Sequence, residues 1–113
     1  MTQEDIDLLF KDLCARLPYG VKVKFAGYSG REDCTLNAQH LSSTYNIEYL
    51  RMKPYLRPMS SMTEEERKEY GLILCDELSI NQYDWLNAHY FDYRGLIERG
   101  LALEAPKDMY KEE

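Results

Sequence analysis

Apolar residues recur at three- and four-residue spacing near the start of the chain, at Ile6, Leu9, Phe10, Leu13 and Leu17, placing one apolar stripe on a helix over about Gln3 to Leu17. Thr2 followed by Asp5 is the pattern of an N-cap with an acid at the third helical position, and Pro18-Tyr19-Gly20 stops the helix. The period then changes. Val21, Val23 and Phe25 alternate with Lys22, Lys24 and Ala26, the two-residue repeat of a strand with one buried and one wet face. Gly27-Tyr28-Ser29-Gly30-Arg31 carries turn chemistry, after which Cys34, Leu36, Ala38 and His40 alternate with Thr35, Asn37 and Gln39 as a return strand, so the pair reads as a hairpin. Tyr45 to Lys53 has the content of a third strand, whose far end Pro54 and Pro58 confine to an edge or a loop because they cannot donate to a ladder.

Thr63 with Glu66 forms a capping box, and Glu64-Glu65-Glu66 complements the positive end of a helix macrodipole, so a helix begins at Glu64. Its end is open between a stop at Gly71 and a continuation through Leu72, Leu74 and Cys75. Asp76 to Gln82 reads as a loop, Tyr83 to His89 as a short helix, Asp92 as the cap of another whose last turn ends at Gly100, and Leu101 to Ala105 as extended. This order predicts an α+β class: one domain over residues 1–105, with a three-stranded antiparallel sheet and two to three helices following the first, and a frayed tail over 106–113.

A length of 113 residues suits a single domain, and 44% hydrophobic with 30% charged residues is the balance of an ordered globular chain. The longest aliphatic run, Leu72-Ile73-Leu74, is far short of the roughly 20 residues of a membrane helix, and the acidic start has no signal-peptide pattern. A cytoplasmic location without membrane contact is expected. Cys14, Cys34 and Cys75 are odd in number and lack a CxxC spacing, which predicts buried thiols in a reducing compartment rather than disulfides. The net charge of -6 is uneven: residues 1–60 carry 8 basic and 7 acidic side chains, whereas residues 61–113 carry 6 and 13.

Catalytic chemistry finds no foothold in these patterns. His40, His89 and the cysteines lack the close spacing of a zinc site, Ser29 lacks the GxSxG elbow, and there is no glycine-rich phosphate loop, so no catalytic residue, metal or cofactor is expected. His89 precedes Asp92 by three residues, but a capping aspartate beside a boundary histidine explains the pair more simply than an oriented imidazole.

Two binding surfaces suggest themselves. Tyr83, Trp85, Leu86, Tyr90, Phe91 and Tyr93 crowd one short stretch; Tyr83, Trp85, Tyr90 and Phe91 are candidate partner-binding residues, with a core role as the alternative. Lys22, Lys24, Arg51, Lys53 and Arg57 alternate with Tyr45, Tyr49 and Tyr55, and residues 21–57 hold 6 basic and 3 acidic side chains. Lys22, Lys24, Tyr49, Arg51, Lys53, Tyr55 and Arg57 are therefore the candidates for nucleic-acid binding. The helix-strand-strand-strand-helix order matches that of a double-stranded-RNA-binding domain, yet Glu64-Glu65-Glu66 stand where that fold has a basic cluster, which favours a solvated sheet face. Arg57, between two prolines, has no local partner and is expected to reach an acid or backbone carbonyls of the C-terminal half, stabilising the fold.

The stretches Lys53-Pro54-Tyr55-Leu56-Arg57-Pro58-Met59-Ser60-Ser61-Met62-Thr63-Glu64-Glu65-Glu66 and Asp84-Trp85-Leu86-Asn87-Ala88-His89-Tyr90-Phe91-Asp92-Tyr93-Arg94-Gly95-Leu96-Ile97-Glu98-Arg99-Gly100-Leu101-Ala102 resemble a family of small open reading frames that recur in prophages and other mobile elements of gut anaerobes. The resemblance implies a setting and no activity, cofactor or catalytic residue. The expectation is a non-enzymatic accessory protein acting through protein–protein contact, with an unidentified protein partner and a possible homodimer, and with weak nucleic-acid binding as the alternative.

Overall fold

Thr2 opens the first helix as its side chain predicts. Its Oγ1 accepts from the Asp5 N–H at 3.1 Å while the Asp5 carboxylate accepts from the Thr2 N–H at 3.2 Å, and α1 runs over Gln3–Arg16. The structure, a computed structural model, describes residues 2–25, 34–42, 47, 51–75, 80–106 and 109–110. Leu17–Tyr19 tighten into a 3-10 turn that ends at Gly20 in the left-handed region, φ 70°.

Four strands follow: β1 (Lys22–Phe25), β2 (Cys34–Thr35), β3 (Met52–Leu56) and β4 (Leu103–Glu104), in the spatial order β2-β1-β3-β4. β1 pairs antiparallel with both neighbours, whereas β4 lies parallel to β3. The domain is α+β as predicted, and its sheet is mixed and four-stranded because Leu103–Glu104 returns beside β3 after the helices. Two further helices, α2 (Glu64–Leu74) and α3 (Gln82–Ala88), lie between β3 and β4.

The alternation of β1 holds: Val23 and Phe25 are buried, Lys22 and Lys24 face outward. The return strand is shorter than its alternation suggests. Asn37 accepts from the His40 N–H at 3.2 Å through its side chain and starts a 3-10 turn over Ala38–Leu41, so a local cap displaces the ladder after Thr35. The third strand also shifts, from the expected 45–53 to 52–56, with Pro54 in its middle rather than at an edge. Pro54 pairs with Val23 at the last position of the β1 ladder, and the β4 ladder begins one residue later at Tyr55. The missing donor thus falls where the strand changes partners. The turn over 27–31, the start of the third strand at Tyr45 and the loop over 76–79 lie outside the described residues.

α1 presses Leu9 and Leu13 onto the inner face of the sheet, where Val21, Val23, Phe25, Met52 and Leu56 meet Leu36, Ile47, Leu96 and Leu101. A second cluster joins Met62 and Ile73 to Trp85, Leu86 and Phe91, and so binds α2 to α3. α2 runs through Gly71 to Leu74, which closes the question left open by its sequence. Asp92 caps as expected, accepting from the Leu96 N–H at 2.8 Å and the Ile97 N–H at 3.0 Å, but turns replace the helix behind it. Gly95, at φ 72°, sits in the left-handed region and breaks the helical run. Cys14 and Cys75 are exposed free thiols and Cys34 is half-buried, correcting the expectation of buried sulfur: Cys14 follows Leu13 and is rotated away from the Ile6-Leu9-Leu13 stripe.

Tyr110, in the segment expected to fray, is held at both ends of its ring. Its hydroxyl accepts from the Lys22 N–H at 2.9 Å and donates to the Tyr55 carbonyl at 2.8 Å, while the ring stacks on Tyr90 with centroids 3.8 Å apart. The register that pairs Val23 with Pro54 would next pair Lys22 with Tyr55, so the phenol stands in for a rung of the ladder. Burial pushes its hydroxyl above the usual tyrosine range. No helix among the described residues is long and apolar enough to cross a membrane.

Candidate functional site

The aromatic stretch divides into core and surface. Trp85 and Phe91 are buried, with Tyr70 stacked on Trp85 at 5.3 Å and Phe91 beyond it at 5.8 Å. Tyr90 is half-buried and its hydroxyl donates to the Tyr19 carbonyl. The structure therefore corrects Trp85 and Phe91 as partner-binding candidates: their rings close the junction of α2 and α3, a task that periodicity could not assign to so short a helix. Tyr83 alone of the four is exposed, at 52%.

Besides Tyr83, the sequence reading missed three exposed residues. Leu72, Leu74 and Ile80 are 43%, 56% and 45% exposed, all at the junction of α2 and α3. On α2 only Ile73 is buried, so its two neighbours point about 100° to either side and cannot share its pocket. Leu72 follows Glu65 and Glu69 at seven- and three-residue spacing, which places it on one stripe with two exposed carboxylates. A signal was present in Leu72-Ile73-Leu74: three consecutive large apolar residues on one helix cannot all face one core.

Arg57 is anchored within the fold. Its Nη2 and Nη1 donate to the two Glu66 carboxylate oxygens at 2.7 and 2.8 Å, Nη2 also donates to the Ser61 carbonyl at 3.3 Å, Nη1 to the His89 carbonyl at 3.5 Å, and the guanidinium lies 4.2 Å from the centre of the Phe91 ring. These partners lie in the acidic C-terminal half, where the sequence placed them. Glu66 also closes the capping box of α2, accepting from the Thr63 N–H at 2.9 Å, and its Oε2 is 3.4 Å from the Nδ1 of His89. His89 therefore faces Glu66, while both Asp92 oxygens serve as caps. Above this cluster opens a groove of about 810 Å³ walled by Pro58, Ser60, Thr63, Glu104, Pro106 and Tyr110, beside a smaller space of about 390 Å³ at Ala88, His89 and Tyr90. Among the described residues no group of histidine, cysteine and carboxylate side chains could hold a metal ion.

The Arg57 guanidinium draws the Glu66 carboxyl down to about 2 against partial burial, with the Thr63 amide and hydroxyl helping. A carboxyl depressed in the folded state contributes stability above its ordinary value of 4.5 and loses it as the pH falls toward 2. Solvent screening of a partly exposed pair reduces the effect, so on the order of 1–2 kcal/mol of acid-dependent stability is expected from this one group. Arg57→Ala lowers stability at neutral pH by about 1.5–3 kcal/mol and flattens the change between pH 4.5 and 2. Urea midpoints measured across that range check both, and an unshifted midpoint at neutral pH refutes the anchor.

The cationic candidates also divide. Lys22 and Lys24 project from the outer side of β1, Lys53 lies directly opposite Lys24, and Arg51 is exposed just before β3. Tyr55 shares that side of β3 but is buried, which corrects its place as a stacking platform, and Arg57 is withdrawn by Glu66. Tyr49 lies outside the described residues. Comparisons with protein-family models, with curated proteins and with solved structures return no match to this chain.

Proposed function

We propose that this chain works through protein–protein contact, without catalysis of its own, and that the junction of α2 and α3 is the contact surface. The observation that supports the reading is that Leu72, Leu74, Ile80 and Tyr83, four of the five large hydrophobic residues found exposed among the described ones, fall within residues 72–83, with Leu72 and Leu74 on opposite flanks of α2. Glu65 and Glu69 continue the Leu72 stripe, and Asp84 is exposed beside Tyr83, so the partner is one that offers apolar side chains bordered by basic residues. The prophage and mobile-element setting implied by residues 53–66 and 84–102 is where we place it, as an accessory protein.

The test is a Leu72→Ser, Leu74→Ser, Tyr83→Ser triple variant of the full chain. These side chains are exposed, so its urea midpoint should shift little, while proteins that co-purify with the parent from its host should be lost. Retention of the whole co-purifying set by the folded variant overturns the reading. Should the partner be a second copy of the chain, light scattering shows a dimer for the parent and a monomer for the variant.

A further inference from the structure

The outer face of the sheet puts like charges where a sheet avoids them. Lys24 on β1 stands directly opposite Lys53 on β3, and Lys22 projects from the same side two residues away. Like charges in directly opposed positions destabilise a strand pair. Among the described residues the buried or half-buried arginines, Arg16, Arg57 and Arg94, all have carboxylate partners, yet no carboxylate is found within ion-pair distance of Lys22, Lys24 or Lys53. Arg51, exposed at the start of β3, holds a left-handed backbone with φ 49°, an uncommon and strained conformation for so large a side chain. A chain of net charge -6 thus concentrates cations on one face.

We propose that this face binds the phosphate backbone of double-stranded nucleic acid, with Lys22, Lys24, Lys53 and Arg51 as the contacting residues. It goes beyond the protein contact proposed above and uses a different surface. Among the described residues the face exposes charge and a threonine, Thr35, with Leu103 half-buried at its β4 edge as the one apolar side chain open in part to solvent, so a protein partner would find little there to bury. Charge alone must hold the occupant against repulsion from an acidic body. A duplex carries one negative charge per about 1.7 Å of axis, whereas an extended acidic peptide carries at most one per about 3.3 Å of its length. The duplex is the denser counter-charge. With Tyr55 buried, the described residues of this face offer no exposed ring on which a base could stack, so the contacts proposed here are to backbone, independent of sequence, and need no unpaired strand.

The experiment titrates the full chain into a labelled mixed-sequence duplex DNA at a series of salt concentrations. Three to four phosphate contacts predict a slope of log affinity against log salt of about -3, which is a loss of about 40- to 150-fold between 50 and 200 mM. The Lys24→Ala, Lys53→Ala double variant removes two contacts and brings the slope to between about -1 and -2. Because it also relieves a like-charge pair, its melting temperature is unchanged or higher, so weaker binding by this variant is not a loss of fold. An Arg67→Ala, Lys68→Ala variant of α2 binds like the parent. Absence of binding at 50 mM salt, a slope near zero, or equal binding by the Lys24 and Lys53 variant each overturns the proposal. Displacement of the duplex by poly-glutamate at equal charge concentration also overturns it, in favour of an acidic protein segment.

Discussion

Asp12→Ala lowers the stability of this protein by about 3–5 kcal/mol, because it strands two guanidinium groups that share one buried carboxylate. Asp12 and Arg16 are both fully buried on successive turns of α1, with Arg16 Nε donating to Oδ2 at 2.8 Å and Nη2 to Oδ1 at 3.1 Å. Arg94 Nε donates to the same Oδ1 at 2.9 Å from the segment after α3, and its Nη2 reaches the Tyr93 hydroxyl, which donates in turn to Asn87. Arg16 Nη2 also holds the Phe91 carbonyl at 2.7 Å, while its Nη1 has no partner among the described residues. The cluster already carries one cation more than its anion, so losing the carboxylate leaves like charges facing each other out of water. Asp12→Leu combined with Arg16→Met should cost less than Asp12→Ala alone, since the fully buried guanidinium leaves with its carboxylate and only Arg94, which reaches solvent, loses its partner. Urea denaturation of the two variants decides it: the double variant proving the weaker would show that the network stabilises beyond its own desolvation.

Phe91→Ala should cost a similar 3–5 kcal/mol, and it separates a core role from a binding role for one of the four residues read as partner-binding candidates. The ring is fully buried between Trp85 and the Arg57 guanidinium, and its backbone is a crossing point: the N–H donates to the Leu86 carbonyl at 3.0 Å and the carbonyl accepts from Arg16. The next residue donates from its N–H to the Arg57 carbonyl at 2.8 Å, and the Arg57 N–H donates to the Tyr90 carbonyl at 2.7 Å, extending the sheet beside β3. A cavity of ring size at this junction would loosen α2, α3 and the end of β3 together. The measurement is the midpoint in urea with an unchanged slope; a midpoint equal to that of the parent would return Phe91 to the surface.

What could be read from the chain was local. Thr2 with Asp5 and Thr63 with Glu66 announce helix starts because each cap is satisfied within four residues, and β1 announces itself because a two-residue alternation needs only its own side chains. Pro54 misled because its effect depends on when a strand exchanges one neighbour for another, which is a property of the sheet. Asn37 and Gly95 each carried a stop signal that a simple alternation or a cap overrode on paper. The anchor role of Arg57 was legible from its lack of a nearby partner and the excess of acid downstream. Its exact acid was not, because Glu66 already had a use as the closing residue of a capping box, and one carboxylate serving two masters leaves no separate mark. Trp85 and Phe91 could be told from Tyr83 only once α2 was laid against α3.

The phenol in the ladder has a bearing on how the protein comes to be made. β1 and β3 can begin to pair once residue 56 has left the ribosome, but the rung between Lys22 and Tyr55 waits for a hydroxyl supplied at residue 110. Until then one amide and one carbonyl at that end of the sheet are open to water, and the ring of Tyr90 lacks the ring of Tyr110 beside it. The nascent chain therefore carries an unfinished seam through the synthesis of α2 and α3, during which a chaperone or a neighbouring strand can find it. Closure comes late and from far along the chain, so the Lys22 amide becomes slow to exchange only after the rest of the domain has been spoken for.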